Sequence, residues 1–202
     1  LVVLRGVARS NDAAPARSSR PRYDRTGAEF WGPVTVLVLL TVGRLPETLL
    51  LLRLQDLGVP VAVIPLVWAG LHVIRSGSSY PGGWLADHLG TRGALAAGSL
   101  LYAMAVVVLA FSIPTAWAIA AFLLHGLVAG LIEPAERLAV ARLAPVRTGR
   151  GFGVYQGIAG AAALPAGLGF GWMYHSSGGP AALLTSAAVL VVIAPLWLRI
   201  GR

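Results

Sequence analysis

The chain has 202 residues, 56% of them hydrophobic and only 12% charged, with a mean hydropathy of +0.75. Soluble domains average about 45–50% apolar and about 25% charged, so an ordinary water-soluble domain is excluded, as is disorder over most of the length. There is no cysteine and the net charge is +8, carried entirely by arginine. That excludes a disulfide framework and any thiolate metal site. The arginines sit between apolar runs, as topology signals of a membrane protein do, and not on a nucleic-acid-binding face.

Leu1-Val2-Val3-Leu4 is apolar and is followed at once by Arg5 and Arg9. A signal peptide has the reverse order. Residues 1–4 therefore read as the stump of a preceding membrane helix, which makes the chain the C-terminal part of something larger. Residues 5–32 hold Arg5, Arg9, Arg17, Arg20, Arg22 and Arg25 with Pro15, Pro21 and several serines. This is a basic, proline-punctuated linker, expected in the cytoplasm, and Phe30-Trp31 at its end suits an interfacial anchor.

Six apolar runs follow, each long enough to cross a hydrocarbon core of about 30 Å as a helix. They are Pro33–Leu52, Val61–Gly82, Gly93–Ile113, Thr115–Glu133, Gly151–Tyr174 and Pro180–Leu198. None shows the period-2 alternation of barrel strands, so helices are expected. Pro33 suits a first helical turn. Loops are expected around Asp87 to Arg92 and around Arg137 to Arg150, with tight turns at Ser112–Thr115 and Ser176–Pro180. The linker, Arg92, Arg137, Arg142, Arg147, Arg150, Arg199 and Arg202 fall on one side and only Arg53 on the other. The positive-inside rule then places the linker, both basic loops and the C-terminus in the cytoplasm, for a multi-pass protein of a bacterial inner membrane. Trp84, Trp117, Trp172 and Trp197 lie near helix ends, as belt residues should.

An ionisable residue inside a span is a functional-site hypothesis by default. Arg44 and Glu47 sit near the middle of the first run, spaced i, i+3 so that they can pair on one face, with Pro46 between them. The second run carries His72 and Arg75 with Ser76, Ser78 and Ser79. The fourth carries His125 and ends on Glu133, and the fifth starts with Tyr155 and Gln156. These eight, Arg44, Glu47, His72, Arg75, His125, Glu133, Tyr155 and Gln156, are the candidate substrate and proton pathway. The third and sixth runs hold no acidic or basic residue in their interiors. The pattern polar, polar, apolar thus occurs twice, as two three-helix repeats would give, with the third helix of each facing lipid. Gly153-x-x-x-Gly157 and Gly167-x-x-x-Gly171 in the fifth run have the spacing that permits close helix packing.

The segment after the second run reads Gly83-Trp84-Leu85-Ala86-Asp87-His88-Leu89-Gly90-Thr91-Arg92. It resembles the signature loop of the major facilitator superfamily, Gly-x-x-x-Asp-Arg/Lys-x-Gly-Arg/Lys-Arg/Lys. Gly83, Asp87, Gly90 and Arg92 match, while His88 and Thr91 stand where basic residues are usual. In that family the loop follows the second helix of each six-helix half on the cytoplasmic side, which is where it falls here. Gly83 would allow close helix approach and Gly90 a tight turn.

The resemblance implies an all-α membrane protein: six transmembrane helices as two three-helix repeats, half of a twelve-helix major facilitator fold. Residues 33–199 form that bundle. The implied function is secondary active transport of a small-molecule substrate by alternating access. The implied partners are a proton or other coupling ion, the lipid bilayer and a missing N-terminal six-helix half. Glu47 is the first candidate for the coupling proton, Glu133 and His125 the second, and Arg44 favours an anionic or zwitterionic cargo. No cofactor, metal or nucleic acid is called for, and no G-x-x-x-x-G-K-[ST] sequence occurs, so ATP-driven transport is not encoded. A Ser76/Ser78–His125 hydrolase site would need a strained arrangement, so an enzyme is not expected. The alternative is a six-helix scaffold or homo-oligomeric membrane protein without transport activity.

Overall fold

The computed structural model describes residues 28–143 and 148–199. The expected stump, residues 5–27 of the expected linker, Arg147 and Arg202 lie outside the described residues. The elements are α1 (Ala28–Gly43), α2 (Glu47–Asp56), a short 3₁₀ turn (Val61–Val63), α3 (Ile64–Ala110), α4 (Thr115–Leu143), α5 (Thr148–Ser177) and α6 (Gly179–Arg199). Four stretches are long and apolar enough to cross a membrane: Trp31–Asp56, Val61–Ala110, Thr115–Leu143 and Gly179–Arg199. The glycine-rich α5 has 30 residues but is not among them.

The partition differs from the six expected runs in three places. The first run is broken at Arg44-Leu45-Pro46 into α1 and α2. Proline supplies no N–H and its ring crowds the carbonyl four residues back, which favours a break here, although α1, α3, α4, α5 and α6 each continue through a proline. α1 also starts before Pro33, within the expected linker, which leaves that proline inside the helix. The second and third runs are continuous apart from one residue. α3 has 47 residues, which as a straight rod would be about 70 Å, over twice a hydrocarbon core. Its reversal is Gly90, at φ 74° and ψ 154°, a conformation that only glycine adopts at little cost. The expected loop at residues 83–92 is thus helix on both sides of a single glycine. Last, α4 runs on to Leu143, ten residues beyond Glu133, where the apolar run ends.

The chain passes back and forth between a Gly58 end and a Gly90 end. At the first, Gly58 takes φ 87° after α2 and its N–H and that of Val59 return to Gln55 and Leu54 carbonyls, a Schellman-type stop. Thr115 Oγ1 donates to Leu57 O at 3.0 Å, and Tyr174 OH to Asp56 Oδ2 at 2.5 Å.

α4 lies against the limb of α3 before Gly90, and glycines set the spacing. A Cβ on Gly82 would come within 2.7 Å of Leu131 Cα, and one on Gly126 within 2.7 Å of Leu71 Cγ. One on Gly130 would overlap Ser78 Oγ and the Arg75 carbonyl. The close approach expected of Gly83 belongs to its neighbour Gly82, because Gly83 is a helical step off the contact line. Most of the glycines expected to pack α5 do not: nothing lies within 4 Å of a Cβ on Gly153, Gly157, Gly160, Gly169 or Gly171, while one on Gly167 would come within 3.8 Å of Pro46 Cγ.

Leu37, Leu40, Leu50, Leu54, Leu71, Leu95, Val106, Leu109, Phe122, Leu183 and Leu190 form the fully buried core. Exposed Leu66, Val73, Leu164, Leu168 and Val192 point outward, a surface suited to hydrocarbon and not to water. The limb of α3 after Gly90 and α6 face both ways. Leu100, Leu101 and Met104 are exposed while Tyr102 and Ser99 are buried, and α6 buries Ser186. Of the expected belt, Trp84, Trp117 and Trp172 are exposed, but Trp197 is 4% exposed and belongs to the core.

Candidate functional site

The break between α1 and α2 leaves backbone carbonyls without helical donors, and each such group needs a partner away from water. Ser186 Oγ, from α6, donates to Gly43 O at 2.6 Å. Tyr102 OH, from α3, donates to Leu45 O at 3.4 Å. The break also turns Arg44 and Glu47 apart, because the i, i+3 geometry holds only along a continuous helix. Their expected pair does not form. Arg44 Nη2 lies 2.6 Å from Glu136 Oε1 of α4, and its guanidinium stands 5.6 Å above the Tyr102 ring. Glu47 Oε1 instead accepts from Arg75 Nη1 of α3 at 2.6 Å.

Arg75 is the hub. Its Nη2 pairs with Glu133 of α4, so one guanidinium bridges two carboxylates from two different elements. The glycine seam makes this possible: Gly126 and Gly130 bring α4 against α3 within a turn of Arg75 and Glu133. Arg137, one turn along α4, adds a contact to Glu133 at 3.7 Å but is 74% exposed. Glu133 was expected at a membrane surface; it lies well inside α4 because its charge is met by Arg75 and no helix end is needed there.

Five charged groups, Arg44, Glu47, Arg75, Glu133 and Glu136, therefore meet in mid-bundle. Glu136 was missed from sequence, since it stands in an apparently solvated run with Glu133 and Arg137; its i, i+3 spacing from Glu133 was the available signal. Tyr155 lies next to this group, buried, with its hydroxyl 3.5 Å from Thr41 Oγ1. His125 is buried with its ring edge-on to Tyr102 at 4.7 Å. His72 stacks edge-on with Trp68 and Gln156 is exposed on α5; neither has a contact to the five charges. Asp87 and Arg92 are exposed beside Gly90, and His88 packs its ring on Trp84 at 4.1 Å. Among the described residues no His, Asp or Glu group has the arrangement of a metal site.

Arg53, expected as a surface charge, is 7% exposed. Its Nε donates to Leu109 O at 2.9 Å and its Nη2 to Ala110 O at 3.0 Å and Phe111 O at 3.3 Å. These are the orphan carbonyls that end α3, and a cation there also meets the negative end of the helix dipole. Arg53→Met keeps the length and loses the donors. It should destabilise the bundle by about 1–3 kcal/mol, read as a lower melting temperature in detergent; an unchanged melt would remove the capping role.

Residues 31–202, nearly the whole chain, match the sequence family described as the Major Facilitator Superfamily. The chain belongs to the major facilitator superfamily. It is accordingly an all-helical, multi-pass membrane protein of a transporter family. Among curated proteins no sequence matches it. In this major facilitator protein the paired charges lie on the α1–α2 break, α2, the first limb of α3 and α4.

Proposed function

We propose that the chain is one half of a secondary active transporter that moves small solutes by alternating access, with a proton as coupling ion. The observation that carries this reading is Arg75 bridging Glu47 and Glu133. Three elements meet at one cation, and protonating either carboxylate frees Arg75 to hold the other alone. That is a two-position device of the kind an alternating mechanism needs. Glu47 and Glu133 are the coupling carboxylates; Tyr102, Tyr155 and His125 line the same region.

The six passes between the Gly58 and Gly90 ends are read as two three-helix repeats, facing a second six-helix bundle around a shared midplane site. The open glycine positions of α5 and its exposed Gln156 support a partner on that side. Arg92, Arg137, Arg142, Arg150 and Arg199 lie toward the Gly90 end, which by the positive-inside rule supports reading that end and the C-terminus as cytoplasmic, in a bacterial inner membrane. Asp87 and Gly90 would then form a cytoplasmic latch.

The test uses proteoliposomes holding the complete transporter and a sealed pH-sensitive dye. A gradient of transported solute should change the lumenal pH, and Glu47→Gln should abolish that change while insertion and thermal melting persist. Solute flux through Glu47→Gln with its pH dependence intact would move the coupling away from Glu47. Wild-type flux that carries no protons would remove proton coupling altogether.

A further inference from the structure

The charges in mid-bundle do not balance. Glu47, Glu133 and Glu136 bring three carboxylates against the two guanidinium groups of Arg44 and Arg75. Arg137 is the next cation, but at 3.7 Å and 74% exposure a largely solvated charge offsets little. Both arginines are committed, Arg75 through its two terminal nitrogens and Arg44 to Glu136. Arg53 is spent on backbone carbonyls. None of these three arginines is left over to hold an anion. One carboxylate is left without a full counter-charge, and with the three only partly exposed an added cation beside them would be favourable.

A second feature points the same way. His125 is 2% exposed, sits against Tyr102 beneath Arg44, and its Nδ1 has no hydrogen-bond partner. A neutral imidazole has one accepting and one donating nitrogen; with the proton on Nε2, Nδ1 offers an acceptor to an N–H donor. Arg44 Nε and Nη2 and Glu136 Oε1 are also without a hydrogen-bond partner, yet the two charges lie 2.6 Å apart and match each other, so Arg44 adds no net charge to attract an anion.

We infer that this network binds a cargo bearing a positively charged nitrogen, which takes the place of one proton on the Glu47–Glu133 pair. The transporter is then an exchanger of an organic cation against a proton. The inference rests on the transport reading above and adds its substrate class, replacing the anionic preference expected from Arg44. The exchange conserves charge: the carboxyl O–H proton leaves to water as the ammonium group arrives, and no covalent bond to carbon changes. The titratable and charged groups around the pair are Arg75 and Tyr102 from α3, Arg44 from the α1–α2 break, and His125, Glu136 and Arg137 from α4, with Tyr155 of α5 beyond them on the Arg44–Glu136 side. Of these, Arg75 alone touches both carboxylates.

The experiment uses the complete transporter in nanodiscs, weakly buffered near neutral pH, with released protons followed by an indicator dye. The probes are phenethylamine, agmatine and putrescine as cations, phenylalanine as the zwitterion and benzoate as the anion. At least one cation should release about one proton per transporter and bind about tenfold more tightly per unit rise in pH while the pair titrates. Phenylalanine and benzoate should release none. Release should vanish in Glu47→Gln and Glu133→Gln and persist in Val192→Ala, at an outward-pointing position of α6, with each variant's thermal melt measured alongside. Silence of all three cations overturns the inference, as does cation binding without proton release. A Glu47-dependent pH response to benzoate would overturn the cation class and leave proton coupling standing. Vesicles in which no solute moves protons would overturn both.

Discussion

Arg75→Met should cost the protein its coupling and a measurable part of its stability together. The substitution keeps the apolar stem and removes the one cation that touches Glu47 and Glu133. Two carboxylates then face each other with Arg137 as the remaining, solvated counter-charge. Breaking a fully buried pair costs about 3–5 kcal/mol, and the partial exposure of these side chains brings the expected loss to about 2 kcal/mol. For a chain of this size that is a fall of roughly 4–8 °C in melting temperature. The double variant Arg75→Met, Glu133→Gln should melt above the single one, because it removes the repulsion that the single one creates. Solute-driven proton movement should be lost in both. A single variant that melts like the wild type, or a double variant that melts below it, would show that Arg75 does not hold the three elements together.

Gly130→Leu should be the most damaging apolar substitution in the bundle. Even a Cβ at residue 130 overlaps Ser78 Oγ and the Arg75 carbonyl, and backbone has little room to yield. α4 must then move away from α3, at a cost of about 1–3 kcal/mol or more. The same displacement draws Glu133 away from Arg75, so coupling should fail even where the protein still inserts. Gly77→Leu is the control, since nothing lies within 4 Å of a Cβ there and it lies away from the α5 face. Its melt should match the wild type within about 0.5 kcal/mol, as for a substitution that touches nothing. Equal loss in the two variants would mean that leucine in any glycine-rich helix of this protein is harmful and that the seam is not special.

How much of this was legible in the sequence depends on the range of the interaction. The membrane class followed from hydropathy, because burial of apolar surface in lipid is a property of composition and run length. Arg44, Glu47, Arg75, His125 and Glu133 stood out because a charged or imidazole group in an apolar run is costly wherever it goes. Gly90 stood out as a turn because its conformation is local. The family motif around it is local in the same way.

Pairing was not local. Arg44 meets Glu136 across 92 positions in the chain and Glu47 meets Arg75 across 28, and which carboxylate serves which arginine is fixed by where helices cross. Pro46 was visible in the first run, but that the helix would break there and turn Arg44 away from Glu47 depended on Ser186 and Tyr102 taking up the freed carbonyls. The depth of Glu133 was misread for the same reason: an apolar run ends where charges begin, but a helix ends where its backbone loses partners. Glycine spacing alone could not separate α5, whose glycines other than Gly167 meet nothing, from α4, whose Gly126 and Gly130 set the distance to α3. Arg53 passed for a surface charge because its acceptors are backbone carbonyls, which no side-chain pattern reveals. The sequence by itself determined the solvent this protein lives in, the kind of helix it builds and the charges it must hide. Only the tertiary structure decided how those charges are shared, since an ion pair between helices depends on a separation of a few ångströms that neither helix encodes alone.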